Sequence, residues 1–223
     1  MAHRPGRGLG IAALVLLAFG VPVTAGCAAY GATQLTGARV PSDHMRPTYV
    51  PGSAAVFRTG GTEPRRGDVV LFDGSAWGDE DRHIERVVAV GGDRISYAAG
   101  DETLTLNGQP LDEPYVLGGA PGAGGVSFEV TVPEGRLFLL GDNRGNSADS
   151  RFRRAHHEGT VPVTAVLGVS VDEEPLVMAG FPLVSLAGGT TVLVGAGLGI
   201  AWLVVRRRKP VPVHPVWGAP HVG

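Results

Sequence analysis

Two long stretches without a charged residue, Leu9 to Ala38 near one end and Leu176 to Val205 near the other, constrain this chain more than anything else in it. A helix needs about 20 predominantly apolar residues to cross a hydrocarbon core, and both stretches exceed that. Gly20, Pro22 and Gly26 in the first, and Pro182 with the glycines after it in the second, would weaken a soluble helix. Bilayer helices tolerate such residues. The expected organisation is an N-terminal segment over residues 1–8, a transmembrane helix over 9–32, a central domain over 36–175, a second transmembrane helix over 183–205 and a basic, proline-rich tail over 206–223.

Charge sorts around these spans. Arg4 and Arg7 precede the first, Arg206, Arg207, Arg208 and Lys209 follow the second, and all 21 acidic residues lie between, beside 13 arginines. Basic flanks stay in the cytoplasm by the positive-inside rule, so both termini are expected there and the central domain on the outer face of the membrane. Arg4, Arg7 and the small residues around Thr24 to Cys27 also fit a secretory signal ending at a lipid-modified cysteine. The second span anchors the chain either way. Cys27 is the only cysteine, which excludes an internal disulfide framework. The acidic central domain argues against a nucleic-acid partner.

That domain is of ordinary size and can bury its own core. Short β-branched runs recur between glycine-rich turns: Ala54 to Phe57, Asp68 to Phe72, Glu85 to Val90, Thr103 to Leu106, Ser127 to Val132, Arg136 to Leu140 and Ala165 to Val171. This is strand spacing, and no segment between the spans has a helical period. Asn107-Gly108 marks a hairpin, because both residues accept the positive φ that matches strand twist. Gly118 to Gly125 reads as a flexible surface loop and the tail after Pro210 as disordered. The expected fold is mainly β, an antiparallel domain with a transmembrane helix at each end.

Four segments stand in order along this domain: Pro41-Ser42-Asp43-His44-Met45-Arg46-Pro47-Thr48; Arg66-Gly67-Asp68-Val69-Val70; Ile84-Glu85-Arg86-Val87-Val88 closing on Gly92-Asp93; and Gly141-Asp142-Asn143-Arg144-Gly145-Asn146-Ser147-Ala148-Asp149-Ser150-Arg151. Together with Asn107-Gly108 and Glu113-Pro114-Tyr115 they resemble the bacterial type I signal peptidases over about residues 41–151. The resemblance implies a membrane-anchored β-sheet endopeptidase that takes signal peptides of translocated preproteins as partners and uses no metal or organic cofactor. In that family a serine directly before the motif methionine, here Met45, attacks the scissile carbonyl. A lysine directly before the Arg-Val-Val run serves as its base.

This chain departs from the family at those two positions, where His44 and Glu85 stand. Its only lysine is Lys209, beyond the second span. A hydroxyl is a poor nucleophile until a positioned base takes its proton, and an imidazole with a carboxylate cannot repeat the serine–lysine step. The expected function is therefore a signal-peptidase-like protein that has lost ordinary catalysis and binds signal peptides or preproteins, shielding or delivering them or sitting beside an active signal peptidase. The alternative is an endopeptidase with a rebuilt site. Ser42 lies two residues from His44, on the same face if the segment is extended, so Ser42, His44 and Glu85 contain the types for nucleophile, base and orienting acid. A base facing an acid also suggests a direct His44–Glu85 contact.

The resemblance assigns the remaining roles. Ser42 matches a serine that helps bind the oxyanion, Ser147 one that hydrogen-bonds the lysine and would here donate to Glu85, and Asp149 with Arg151 a supporting salt bridge. Asp142, Asn143 and Arg144 shape the loop. No spacing among His44, His83, Glu85, His156 and His157 matches a metal-ligand pattern. The acidic runs Asp79-Glu80-Asp81 and Asp172-Glu173-Glu174 read as solvated faces.

Overall fold

The computed structural model describes residues 7–61, 63–122, 125–171 and 180–207. Most of the expected N-terminal segment, the Asp172-Glu173-Glu174 run, the tail beyond Arg207 and the centre of the Gly118–Gly125 loop lie outside the described residues. The described residues form a helical unit, 7–28 with 181–207, and a β unit, 29–171 with 180.

The helical unit contains α2 (Phe181–Arg207) and α1 (Arg7–Gln34) up to residue 28. Both are long and apolar enough to cross a membrane. At 1.5 Å per residue each is about 40 Å long, against a hydrocarbon core of about 30 Å. They pack antiparallel through glycines. A Cβ on Gly10 would lie 3.0 Å from the Trp202 ring, one on Gly20 3.0 Å from Val192, and one on Gly188 2.8 Å from the Thr24 hydroxyl. Small residues let two backbones approach in lipid, where dispersion contact rather than the hydrophobic effect holds helices together. Leu14, Phe19, Leu186 and Leu193 are exposed around this seam.

The β unit consists of β1 (Leu35–Arg39), β2 (Ala54–Arg58), β3 (Val69–Asp73), β4 (Arg82–Val90), β5 (Arg94–Tyr97), β6 (Thr105–Leu106), β7 (Gln109–Pro110), β8 (Phe128–Thr131), β9 (Arg136–Leu140), β10 (Val161–Pro162) and β11 (Val166–Ser170). One sheet has the order β1-β2-β11-β3-β4-β9-β10 and the other β7-β6-β5-β8. Every pairing is antiparallel. Between Leu35 and Val171 the described residues contain no α-helix. The antiparallel β fold with an apolar helix at each end is thus the one expected.

Two differences from the sequence expectation matter. No strand was expected at the start of the central domain, yet Leu35–Arg39, directly after α1 ends at Gln34, is an edge strand that pairs with β2 in register from Leu35↔Arg58 to Arg39↔Ala54. Apolarity alone does not distinguish a span from a strand that continues it. Short β5, β7 and β10 were also unmarked, since two to four residues carry too little alternation to read.

The core explains where the site can sit. Strand β3 is buried along Val69–Phe72, and alternate residues enter different clusters. Val70 and Phe72 join Trp77, Val87, Leu139 and Val161 on one side. Val69 and Leu71 join Val40, Met45, Tyr49, Phe57 and Ile84 on the other. A third cluster seats the smaller sheet on β4 and β9, with Phe128 stacked on Phe138 at 5.3 Å. The Met45 cluster is the floor beneath the segments that resemble the catalytic motifs.

Candidate active site

Three segments converge on this floor. The first is a single 3-10 turn, Asp43–Met45, that follows Ser42. Met45 is fully buried among Val40, Tyr49, Phe57 and Leu71, so its side chain anchors the turn and fixes its neighbour His44. The second is the middle of β4, where Ile84, Glu85 and Arg86 pair with Leu71, Val70 and Val69 of β3. The third is the loop Gly141–Arg151 after β9. It closes on the turn through a 2.9 Å bond from the Asn143 backbone N–H to the His44 carbonyl and a 3.2 Å bond from Asn143 Nδ2 to the Asp43 carbonyl. Gly141 makes that closure possible, since a Cβ there would lie 2.4 Å from Ser147 Oγ and 2.7 Å from the His44 carbonyl oxygen.

His44 is buried, and both ring nitrogens are engaged. Nδ1 lies 2.8 Å from Ser42 Oγ, and Nε2 lies 2.8 Å from the Ile84 carbonyl oxygen. A carbonyl only accepts, so Nε2 carries a proton in either charge state. Burial holds the imidazole below its ordinary pKa, against the raising effect of its bonds to the backbone at Ile84 and Ser42. At neutral pH Nδ1 is then unprotonated, and the Ser42 hydroxyl donates to it. The imidazole makes no hydrogen bond to Glu85 among the described residues. The direct His44–Glu85 contact expected from the sequence is replaced by one to the backbone of the residue before Glu85.

Glu85 is 3% exposed. Its carboxyl is pushed well above the usual range, chiefly by burial and then by Asp149 and Asp142; Arg151 and the Ser147 hydroxyl oppose this. Ser147 Oγ lies 3.5 Å from both carboxyl oxygens, a long contact that leaves the group weakly held. Glu85 therefore holds its proton more tightly than an exposed glutamate does, and it is a poorer partner for an ion pair with His44 than an exposed carboxylate would be.

Fixed charges frame the site. Asp149 and Arg151 form a buried two-pronged pair, with Nε and Nη2 of Arg151 each 2.8 Å from a carboxylate oxygen. Arg151 Nη2 also donates to the Arg144 carbonyl at 2.7 Å. Arg86 makes a second two-pronged pair with Asp142, both contacts 2.7 Å, and lies 4.0 Å from the centre of the Tyr115 ring. Arg144 pairs with Glu113. Planar guanidinium on carboxylate is the geometry in which a buried pair is best satisfied. The partnerships of Arg86 with Asp142 and of Arg144 with Glu113 were not legible beforehand, because 56 and 31 residues separate the partners.

His83 has partners of its own. His83 Nε2 bonds to Asp79 at 2.9 Å, and its ring stacks on Phe72. Among the described residues no three His, Cys, Asp or Glu side chains are placed to hold a metal ion.

The comparisons with known proteins agree on one family. The family model described as "Signal peptidase, peptidase S26" matches residues 11–171. A probable signal peptidase I of Mycobacterium leprae is 38% identical over 122 residues, which is 45% of this chain and 42% of that one. Signal peptidase I of Mycobacterium tuberculosis is 32% identical over 185 residues, covering 58% and 61%. The crystal structure of a signal peptidase I from Enterococcus faecalis shares 29% identity over 49% of this chain and 98% of that one, with a TM-score of 0.39. The chain spans about half the length of the curated relatives it matches. With the match to the family model running through both the turn at His44 and the loop at Ser147, this chain belongs to the signal peptidase family, peptidase S26.

Proposed function

We propose that this chain is a membrane-anchored signal-peptide-binding protein, which holds the signal segments of translocated preproteins and does not cleave them by a serine–lysine route. Both termini lie in the cytoplasm and the β unit on the outer face of a bacterial plasma membrane, as the basic flanks of the two spans require. The carrying observation is the state of Glu85. Where the family places a lysine that takes a proton from serine, this chain has a buried carboxyl, 3% exposed, whose hold on its own proton is strengthened by burial. His44, at the nucleophile position, offers no hydroxyl. The frame around them is intact, with Asp149–Arg151 and Arg86–Asp142 both paired. Such a protein shields or delivers preproteins, or presents them to an active signal peptidase beside it.

The test is a titration of a labelled peptide, an apolar segment ending in Ala-x-Ala, with full-length protein in detergent, followed by mass analysis of the peptide. Saturable binding with the peptide intact is expected, and the double replacement His44→Ser with Glu85→Lys should gain cleavage. Absence of binding, or cleavage by the unaltered protein, overturns the proposal. A second reading, an endopeptidase built on Ser42, His44 and Glu85, draws on the 2.8 Å contact between Ser42 and His44. It leaves Glu85 without a hydrogen bond to the imidazole it would have to orient.

A further inference from the structure

Ser42 does not do what a serine at the start of a helical turn ordinarily does. Such a serine caps a free backbone N–H two or three residues on. Here the turn begins at Asp43, Ser42 is extended at φ −148° and ψ −177°, and its side chain makes no cap bond. The hydroxyl is aimed instead at His44 Nδ1, 2.8 Å away. The residue is exposed, whereas the imidazole behind it is buried and held from its far side by the Ile84 carbonyl. An accessible hydroxyl, an imidazole nitrogen with a free lone pair and a group fixing the tautomer are the parts of a nucleophile–base–orienter relay.

We infer that Ser42 is a nucleophile toward carboxylic esters, with His44 as its general base and the Ile84 carbonyl as positioning group. In the first step the Ser42 oxygen bonds to the acyl carbon and its proton passes to His44 Nδ1. The ester C–O bond breaks, and the alcohol leaves with that proton. Water then attacks the acyl-serine, again giving a proton to Nδ1. That proton returns to Ser42 as the carboxylic acid departs. The orienting group explains the preference for esters. A carbonyl fixes the tautomer but carries no charge, so the imidazolium formed during reaction lacks the anionic partner an aspartate supplies. A weakly supported base serves a leaving group that departs easily, an alcohol or phenol, rather than a peptide amine. This activity goes beyond signal-peptide binding and uses neither family catalytic position as a nucleophile.

The test uses full-length protein in detergent with a fluorophosphonate probe and p-nitrophenyl acetate. A covalent adduct on the peptide containing Ser42 is expected, together with ester turnover. Ser42→Ala should abolish both, and His44→Gln should slow both on the order of a hundredfold, the usual contribution of a positioned base. If His44→Gln fails to fold, the unaltered protein still decides the question through its pH profile. The charged or titratable neighbours acting on His44 are His83 on β4 and Asp142 in the loop after β9, and burial outweighs both. The adduct rate should therefore rise with pH and level off below pH 6.5. No adduct on Ser42, or a rate that climbs without levelling and is indifferent to His44→Gln, overturns the inference. Peptide binding is measured separately, so either proposal can fail alone.

Discussion

Glu85 is the residue whose chemistry most separates this chain from a working serine–lysine site, and its proton can be tested directly. A free glutamate titrates near 4.5, while burial beside Asp149 and Asp142 raises the folded-state value well above that. The folded chain thus keeps a proton that the unfolded chain releases, so stability is fullest below about pH 4.5 and falls as pH rises toward the folded-state pKa. Glu85→Gln mimics the protonated acid and does not titrate. Denaturant unfolding across pH should show the two proteins alike at pH 4 and the variant increasingly the more stable above it. Asp142, unlike Glu85, is buried in a two-pronged pair with Arg86. Asp142→Ala leaves that guanidinium buried and uncompensated, so a loss of about 3–5 kcal/mol is expected in the same unfolding measurement. At this scale the sequence was legible wherever a side-chain type was the signal: Ser42, His44, Glu85, Ser147, Asp149 and Arg151 all fall within the three converging segments. It grouped His44 with Ser42 and Glu85 but missed its second hydrogen-bond partner, because the Ile84 oxygen belongs to the backbone and every residue has one.

The turn at His44 and the loop after β9 are elements that exist only against each other, and Gly141 is where they meet. The Asn143 N–H makes this closure by donating to the His44 carbonyl, while Gly141 N donates within the loop to Asp149 at 3.2 Å. A methyl group on Gly141 must displace Ser147 or the backbone of His44, neither of which is the free end of a flexible side chain. Gly141→Ala is expected to destabilise the β unit by about 1–3 kcal/mol, as overpacking does. It should also weaken signal-peptide binding, read as a lowered melting temperature and a shifted titration. The strands that β-branched runs announced are present because long alternation reports a buried face. The Asn107-Gly108 signal also marks a real turn between β6 and β7, with φ of 54° and 80°. What escaped were elements fixed by pairing alone. Strand β1 is apolar chain that became a strand because β2 offered an edge, and Val161–Pro162 is a strand because Leu137 and Arg136 lie opposite.

At the scale of the whole molecule, the proposed orientation rests on charge placement rather than on any local feature. Transferring the N-terminal arginines or the cluster after α2 across a bilayer is opposed by the bias that retains Lys and Arg in the cytoplasm, and both clusters favour the same arrangement. The two helices pack antiparallel through Gly10, Gly20 and Gly188, which puts their outer ends, and so both basic clusters, on one side of any membrane they span together. The single cysteine makes the orientation measurable. With Cys27 changed to Ser, new cysteines at Glu80, exposed just before β4, and at Gly8, at the start of α1, report the two sides independently. A membrane-impermeant maleimide added to intact cells should label Glu80→Cys and leave Gly8→Cys unmodified until the membrane is opened. Labelling of Gly8→Cys in intact cells would put the N-terminus outside. Protection of Glu80→Cys would put the β unit in the cytoplasm, where no translocated signal peptide could reach it.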